Sequence, residues 1–104
     1  MAEKKVTVLA FFKAKPGMEA TVEQAIRALV EPTRQEAGCI NYDLHRSSDD
    51  GSLFMLYENW VSKKVLDEHL NMPYLRDFLA KADAILAQPV DIKLWDMLTE
   101  VEKD

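Results

Sequence analysis

Apolar positions recur with period two over Lys5–Lys13 (KVTVLAFFK), Cys39–Arg46 (CINYDLHR) and Leu53–Trp60 (LFMLYENW). Each segment is rich in β-branched or aromatic side chains, which predicts three strands. Pro16-Gly17 stops the first. From Met18 the period lengthens to that of a helix, with Met18, Val22, Ala25, Ile26, Leu29 and Val30 on one face. Pro32 has no backbone donor and predicts a kink or break there, and Gly38 is expected to close the helical region as a left-handed cap. Asp49-Asp50-Gly51 marks a hairpin turn. Ser62 is placed to cap a short helix reaching about Asn71. Pro73 opens another helical segment, with Leu75, Phe78, Leu79, Ala82, Ile85 and Leu86 as its apolar stripe. Pro89 introduces a last strand, Val90–Leu98, followed by a polar tail from Thr99. The order β-α-β-β-α-β predicts an α+β, ferredoxin-like antiparallel sheet with helices on one face, in a single domain over residues 1–104.

Both faces of that sheet are apolar. In the first strand Val6, Val8, Ala10 and Phe12 oppose Thr7, Leu9 and Phe11; in the third, Phe54, Leu56 and Trp60 oppose Leu53, Met55 and Tyr57. Helices cover one side, so the other is expected to close against a second copy as a homodimer or, in a monomer, to hold a ligand.

With 48% hydrophobic and 30% charged residues the composition is that of an ordinary globular protein. A net charge of −5, without any basic stripe, argues against nucleic acid as a partner. No apolar run approaches the roughly 20 residues that span a membrane. The first residues lack the apolar core of a signal peptide, so the expected location is cytoplasmic. One cysteine, Cys39, excludes an internal disulfide and a multi-cysteine metal site, and nothing beside it in sequence suggests an activated thiolate.

His69 is the conspicuous candidate. Val65 and Leu66 precede it by four and three residues, which puts all three on one helical face while Lys63, Lys64, Asp67 and Glu68 look outward. A titratable ring on a buried stripe needs either a satisfying partner or a chemical purpose. His45 alternates with Asp43 and Asn41 along the second strand and is expected at an exposed rim. The two histidines fall on separate elements without metal-ligand spacing, and no Gly-rich phosphate loop is present. Glu58, a carboxylate in an apolar strand, is expected to pair with Arg46 or Arg76.

Lys15-Pro16-Gly17, Glu36-Ala37-Gly38-Cys39-Ile40-Asn41-Tyr42-Asp43-Leu44, Tyr57-Glu58-Asn59-Trp60 and His69-Leu70-Asn71-Met72-Pro73-Tyr74 follow one another at spacings that resemble the antibiotic biosynthesis monooxygenase superfamily. The resemblance spans Val6 to about Leu98. It implies a dimeric α/β barrel and, as in the quinol monooxygenases of that group, oxidation of a phenolic aromatic substrate by dioxygen with no cofactor and no metal. His69 would then be the general base or orient the phenol oxygen. Tyr74 would hydrogen-bond the same oxygen. It stands where the family pattern often has a second histidine, and a phenol with a reference pKa near ~10 is a poor base at neutral pH. Trp60 would wall a flat substrate or serve as a core indole. Asn41 and Tyr57 would reach the pocket from the hairpin, their structural alternatives being a turn-facing amide and an interface phenol. Met72 would line its mouth or fill the core. The haem-degrading branch uses an Asn, a Trp and a His where Ala10, His69 and Leu79 align here, so haem degradation is not expected. Two other readings use the same residues: an isomerase with His69 as base, and a non-catalytic dimer that binds a hydrophobic small molecule, as a stress-response protein would.

Overall fold

The computed structural model describes residues 4–99, so all of the expected polar tail except Thr99 lies outside the described residues. The elements are β1 (Val6–Lys13), α1 (Glu19–Arg34), β2 (Cys39–Arg46), β3 (Leu53–Trp60), α2 (Lys63–Leu70), α3 (Pro73–Ile85) and β4 (Asp91–Asp96). They build one open, fully antiparallel sheet in the order β2-β3-β1-β4, the ferredoxin-like arrangement. The three helices lie on one face. Val6, Val8, Ala10 and Phe12 of β1, and Phe54, Leu56 and Trp60 of β3, are buried beneath them together with Val22, Ile26 and Leu29 of α1 and Leu75 and Phe78 of α3.

The opposite face carries Leu9, Phe11 and Met55, all half-buried, beside exposed Tyr57 and Trp95. It is the apolar, helix-free face that strand alternation predicts. Among the described residues strand β4 pairs with β1 alone, and it is exposed at every position. No helix among the described residues is long and apolar enough to cross a membrane.

Three expectations need correction. Helix α1 does not break at Pro32 but runs on to Arg34. A proline in the last turn removes only one intrahelical bond, and the residues after it still close theirs: Gln35 N donates to Pro32 O and Glu36 N to Thr33 O. The last strand is shorter than Val90–Leu98 because its partner ends at Val6, which pairs with Asp96. Gly38 is not a left-handed cap, since Gly17 is the one glycine with positive φ among the described residues. The helix is already closed by Gln35 in right-handed geometry.

Gly38 serves close approach instead. A Cβ there would lie 2.6–2.8 Å from the Cβ and both Cγ carbons of Val65 on α2. Gly38 O also accepts from Val61 N at 3.0 Å, tying the α1–β2 turn to the start of α2. Ser62 caps that helix through its side chain, which accepts from Val65 N. The bare glycine therefore sets how near α2 lies to the turn. Gly38→Ala is expected to lower stability by about 1–3 kcal/mol in urea unfolding, because stiff, β-branched Val65 has no rotamer that clears the new methyl. Adding Val65→Ala should recover part of the loss; an equal loss in both backgrounds would show that the contact is not the cause.

Candidate functional site

Close docking of α2 on Gly38 puts His69, one turn beyond Val65, against Glu36, two residues before the glycine. The His69 ring is 2% exposed and its Nδ1 lies 2.9 Å from Glu36 Oε2. The same carboxylate oxygen accepts a short hydrogen bond from the Tyr74 hydroxyl. Burial, and then that bond to Glu36, push the Tyr74 phenol up to about 12, so at neutral pH it is a donor and not a base. Glu36 thus holds the imidazole from one side and is itself held by Tyr74. With Nδ1 engaged as the N–H donor, Nε2 is the basic nitrogen, and it has no hydrogen-bond partner among the described residues.

Beside the ring is an apolar cavity of about 30 Å³, enclosed by Val8, Ala10 and Phe12 of β1, Leu66 and Leu70 of α2, and Leu75 and Phe78 of α3. Its polar lining comes from His69, Glu58 and Tyr42. A space of that size holds about two waters. Leu79 and Ile92 complete its outer rim, and both are exposed on the side of β4.

Glu58 is the residue that sequence reading misplaced. Neither expected arginine reaches it: Arg46 pairs with Glu23, and Arg76 bonds Asn71. The carboxyl is 4% exposed, and its one hydrogen bond among the described residues is from Trp60 Nε1 at 2.9 Å. Burial raises its pKa from the ordinary 4.5 to about 7; the Trp60 bond pulls the other way and the Glu36 charge adds to the rise. The residue two positions before a strand tryptophan lies on the same face. That spacing was visible, but the strand alone did not show that no cation would arrive. Glu36 was missed because 33 residues separate it from His69 and only the fold joins them.

The other predicted residues are dispersed. Trp60 does not line the cavity: fully buried, it lies behind His69, with ring centroids 4.6 Å apart at 34°, and meets Tyr42 edge-on. Tyr74 reaches Glu36 and does not line the cavity. Asn41 and Tyr57 are on the helix-free face, where Asn41 bonds Asp43, Asn59 and the Tyr57 carbonyl. Met72 is half-buried at the entry to α3 and outside the lining. His45 is exposed, as its alternation predicts. Burial first, and then the charges of Glu36 and Glu58, push the Cys39 thiol up to about 11, the reverse of thiolate activation. Among the described residues no three His, Cys, Asp or Glu side chains are placed to hold a metal ion.

Comparison with known proteins agrees with this architecture. Two solved structures superpose on nearly the whole chain. PA3566 of Pseudomonas aeruginosa does so with a TM-score of 0.89 at 34% identity, covering 95% of this chain and 99% of its own. Rv0793 of Mycobacterium tuberculosis gives 0.89 at 33%, covering 94% and 99%. By sequence, the protein named "Putative monooxygenase Rv0793" is 35% identical over 91% of this chain and 93% of its own length. The Synechocystis protein sll1783 is 30% identical over 90% of this chain, which spans only 64% of that longer relative. The family model for antibiotic biosynthesis monooxygenases matches residues 5–81, a stretch that holds Glu36, Glu58, His69 and Tyr74, and the chain belongs to that family.

Proposed function

We propose that the protein is a cofactor-independent monooxygenase that oxidises a quinol or similar electron-rich phenol with dioxygen. The observation that carries this reading is the Glu36–His69 pair, with His69 lining an apolar cavity: Glu36 engages Nδ1, and Nε2 remains to serve as the base. The monooxygenase name of the family and of the Mycobacterium tuberculosis relative supports the reaction type.

The chemistry asks for little more. Nε2 takes the phenol proton, and the phenolate, an electron-rich anion in an apolar enclosure, passes one electron to dioxygen. The two radicals join at a ring carbon that still bears hydrogen, and the imidazolium protonates the peroxide. Nε2 then removes the C–H proton; the carbonyl forms as the O–O bond breaks, and the departing oxygen leaves as water. Phenol and dioxygen give quinone and water, with the protein needed for a base, a fixed pose and a dry site.

A flat substrate is larger than this cavity, so binding it requires the rim of Leu79 and Ile92 beside β4 to move apart and widen the space next to His69. The apolar face with Leu9, Phe11, Met55, Tyr57 and Trp95 supports a homodimer packed sheet to sheet, a family-like barrel built from two open sheets.

The test is oxygen uptake with a naphthohydroquinone and an anthrone. Uptake above the no-protein control, with one quinone formed per dioxygen consumed, is the expected result. Traces that match the control for every phenol tried would sink the oxygenase reading and favour a binding protein.

A further inference from the structure

We infer that Glu58 is a second catalytic group, the acid that protonates the departing oxygen, working on the same cavity as His69. This inference rests on the oxygenase reading above. Glu58 and His69 are two polar groups in an otherwise mainly apolar lining, and they approach it from different elements, β3 and α2. Each has one protein partner that fixes it and leaves it further capacity. His69 uses Nδ1 on Glu36, and Glu58 uses Oε1 on the Trp60 indole.

A carboxyl kept only for structure and just 4% exposed would normally have a cation or several donors. Glu58 has neither: no Lys or Arg pairs with it among the described residues. The titratable groups near it are His69 of α2, Tyr42 and Cys39 of β2 and Glu36 of the α1–β2 turn; β1 and α3 offer it only apolar side chains such as Val8, Leu75 and Phe78. Such surroundings favour the neutral acid, in keeping with its rise to about 7. Two groups in one site, one held as base and the other as acid, are what the second half of the reaction uses.

The step balances. Nε2 takes the proton from the ring carbon, and the C–H electron pair forms the carbonyl as the O–O bond breaks. The departing oxygen takes its proton from the Glu58 carboxyl and leaves as water. The imidazolium then returns a proton to the Glu58 carboxylate, restoring both groups.

Glu58→Gln separates this role from packing, because glutamine keeps volume and can still accept from Trp60. For the native protein, kcat/KM with anthrone is expected to fall on the alkaline side near pH 7, as Glu58 ionises. In Glu58→Gln, with the circular dichroism of the native fold, kcat should drop by about 100-fold and the alkaline fall should vanish. Infrared titration should show a protonated carboxyl in the native protein near neutral pH that the variant lacks. If Glu58→Gln keeps the native rate and the same alkaline limb, Glu58 is not the acid and the oxygenase reading stands without it. If the native protein itself turns over no phenol, both fall together.

Discussion

Replacing His69 by glutamine should lower kcat/KM for oxygen uptake by about 10²–10⁴-fold, the usual worth of a positioned general base. Glutamine is the informative choice. Its side-chain amide can donate to Glu36 as Nδ1–H does at 2.9 Å, so the carboxylate is not left unpartnered and α2 keeps its place. What is lost is the basic nitrogen, since an amide takes no proton at neutral pH. The loss belongs in kcat, with KM nearly unchanged, because the cavity is lined mainly by aliphatic and aromatic side chains that remain. Glu36→Gln should act in the same direction but less strongly. It leaves the ring in place while removing the charge that favours the Nδ1–H form. Full activity in His69→Gln would return the histidine to the core and remove the base from the mechanism.

Much of this was legible in the chain, for reasons that differ by element. The alternation in VTVLAFFK and LFMLYENW located β1 and β3 to within a residue, because a strand buried on one face cannot slip without exposing Val8 or Phe54. Ser62 and Pro73 marked helix starts by local chemistry alone. Gly38 was misread because glycine has two uses, positive φ and the absence of a Cβ, and only the position of Val65 tells them apart. The site was half legible. His69 stood out by being polar on an apolar helical stripe, a purely local pattern. Its partner Glu36 lies on another element, and the Gly38–Val61 bond that brings the two together forms only in the folded sheet. Asn41 and Tyr57 have the right chemistry for a pocket, but the register pairs them with residues of the helix-free face. Of the two places expected for Trp60, against substrate or in the core, it takes the second, behind the imidazole.

That deeper position makes Trp60→Ala the most damaging single change for stability. Loss of a fully buried indole costs about 3–5 kcal/mol in transfer and cavity terms. The change also strips Glu58 of the Trp60 hydrogen bond and His69 of a stacked neighbour, adding about 1–3 kcal/mol for the orphaned carboxyl. Against a total stability of about 5–15 kcal/mol, the variant should be largely unfolded at 37 °C or fail to accumulate folded. Trp60→Phe separates the two effects through pH. A carboxyl raised from 4.5 to about 7 binds a proton in the folded state over a range where the unfolded chain has released it, so stability on its account is highest below pH 4.5 and falls as pH rises. Above pH 7 the penalty in the native protein levels off at ~3 kcal/mol. The Trp60 Nε1–H eases that penalty by favouring the ionised form. Phenylalanine cannot, so its destabilisation should be modest at pH 5, where Glu58 is neutral, and grow above pH 7. Glu58→Gln should remove that growth, because glutamine carries no charge to bury. Urea unfolding of the native protein, Trp60→Phe, Glu58→Gln and the double variant at pH 5 and pH 8 reads the coupling directly. A Trp60→Phe loss equal at both pH values, with or without Glu58, would mean that the indole acts by packing alone.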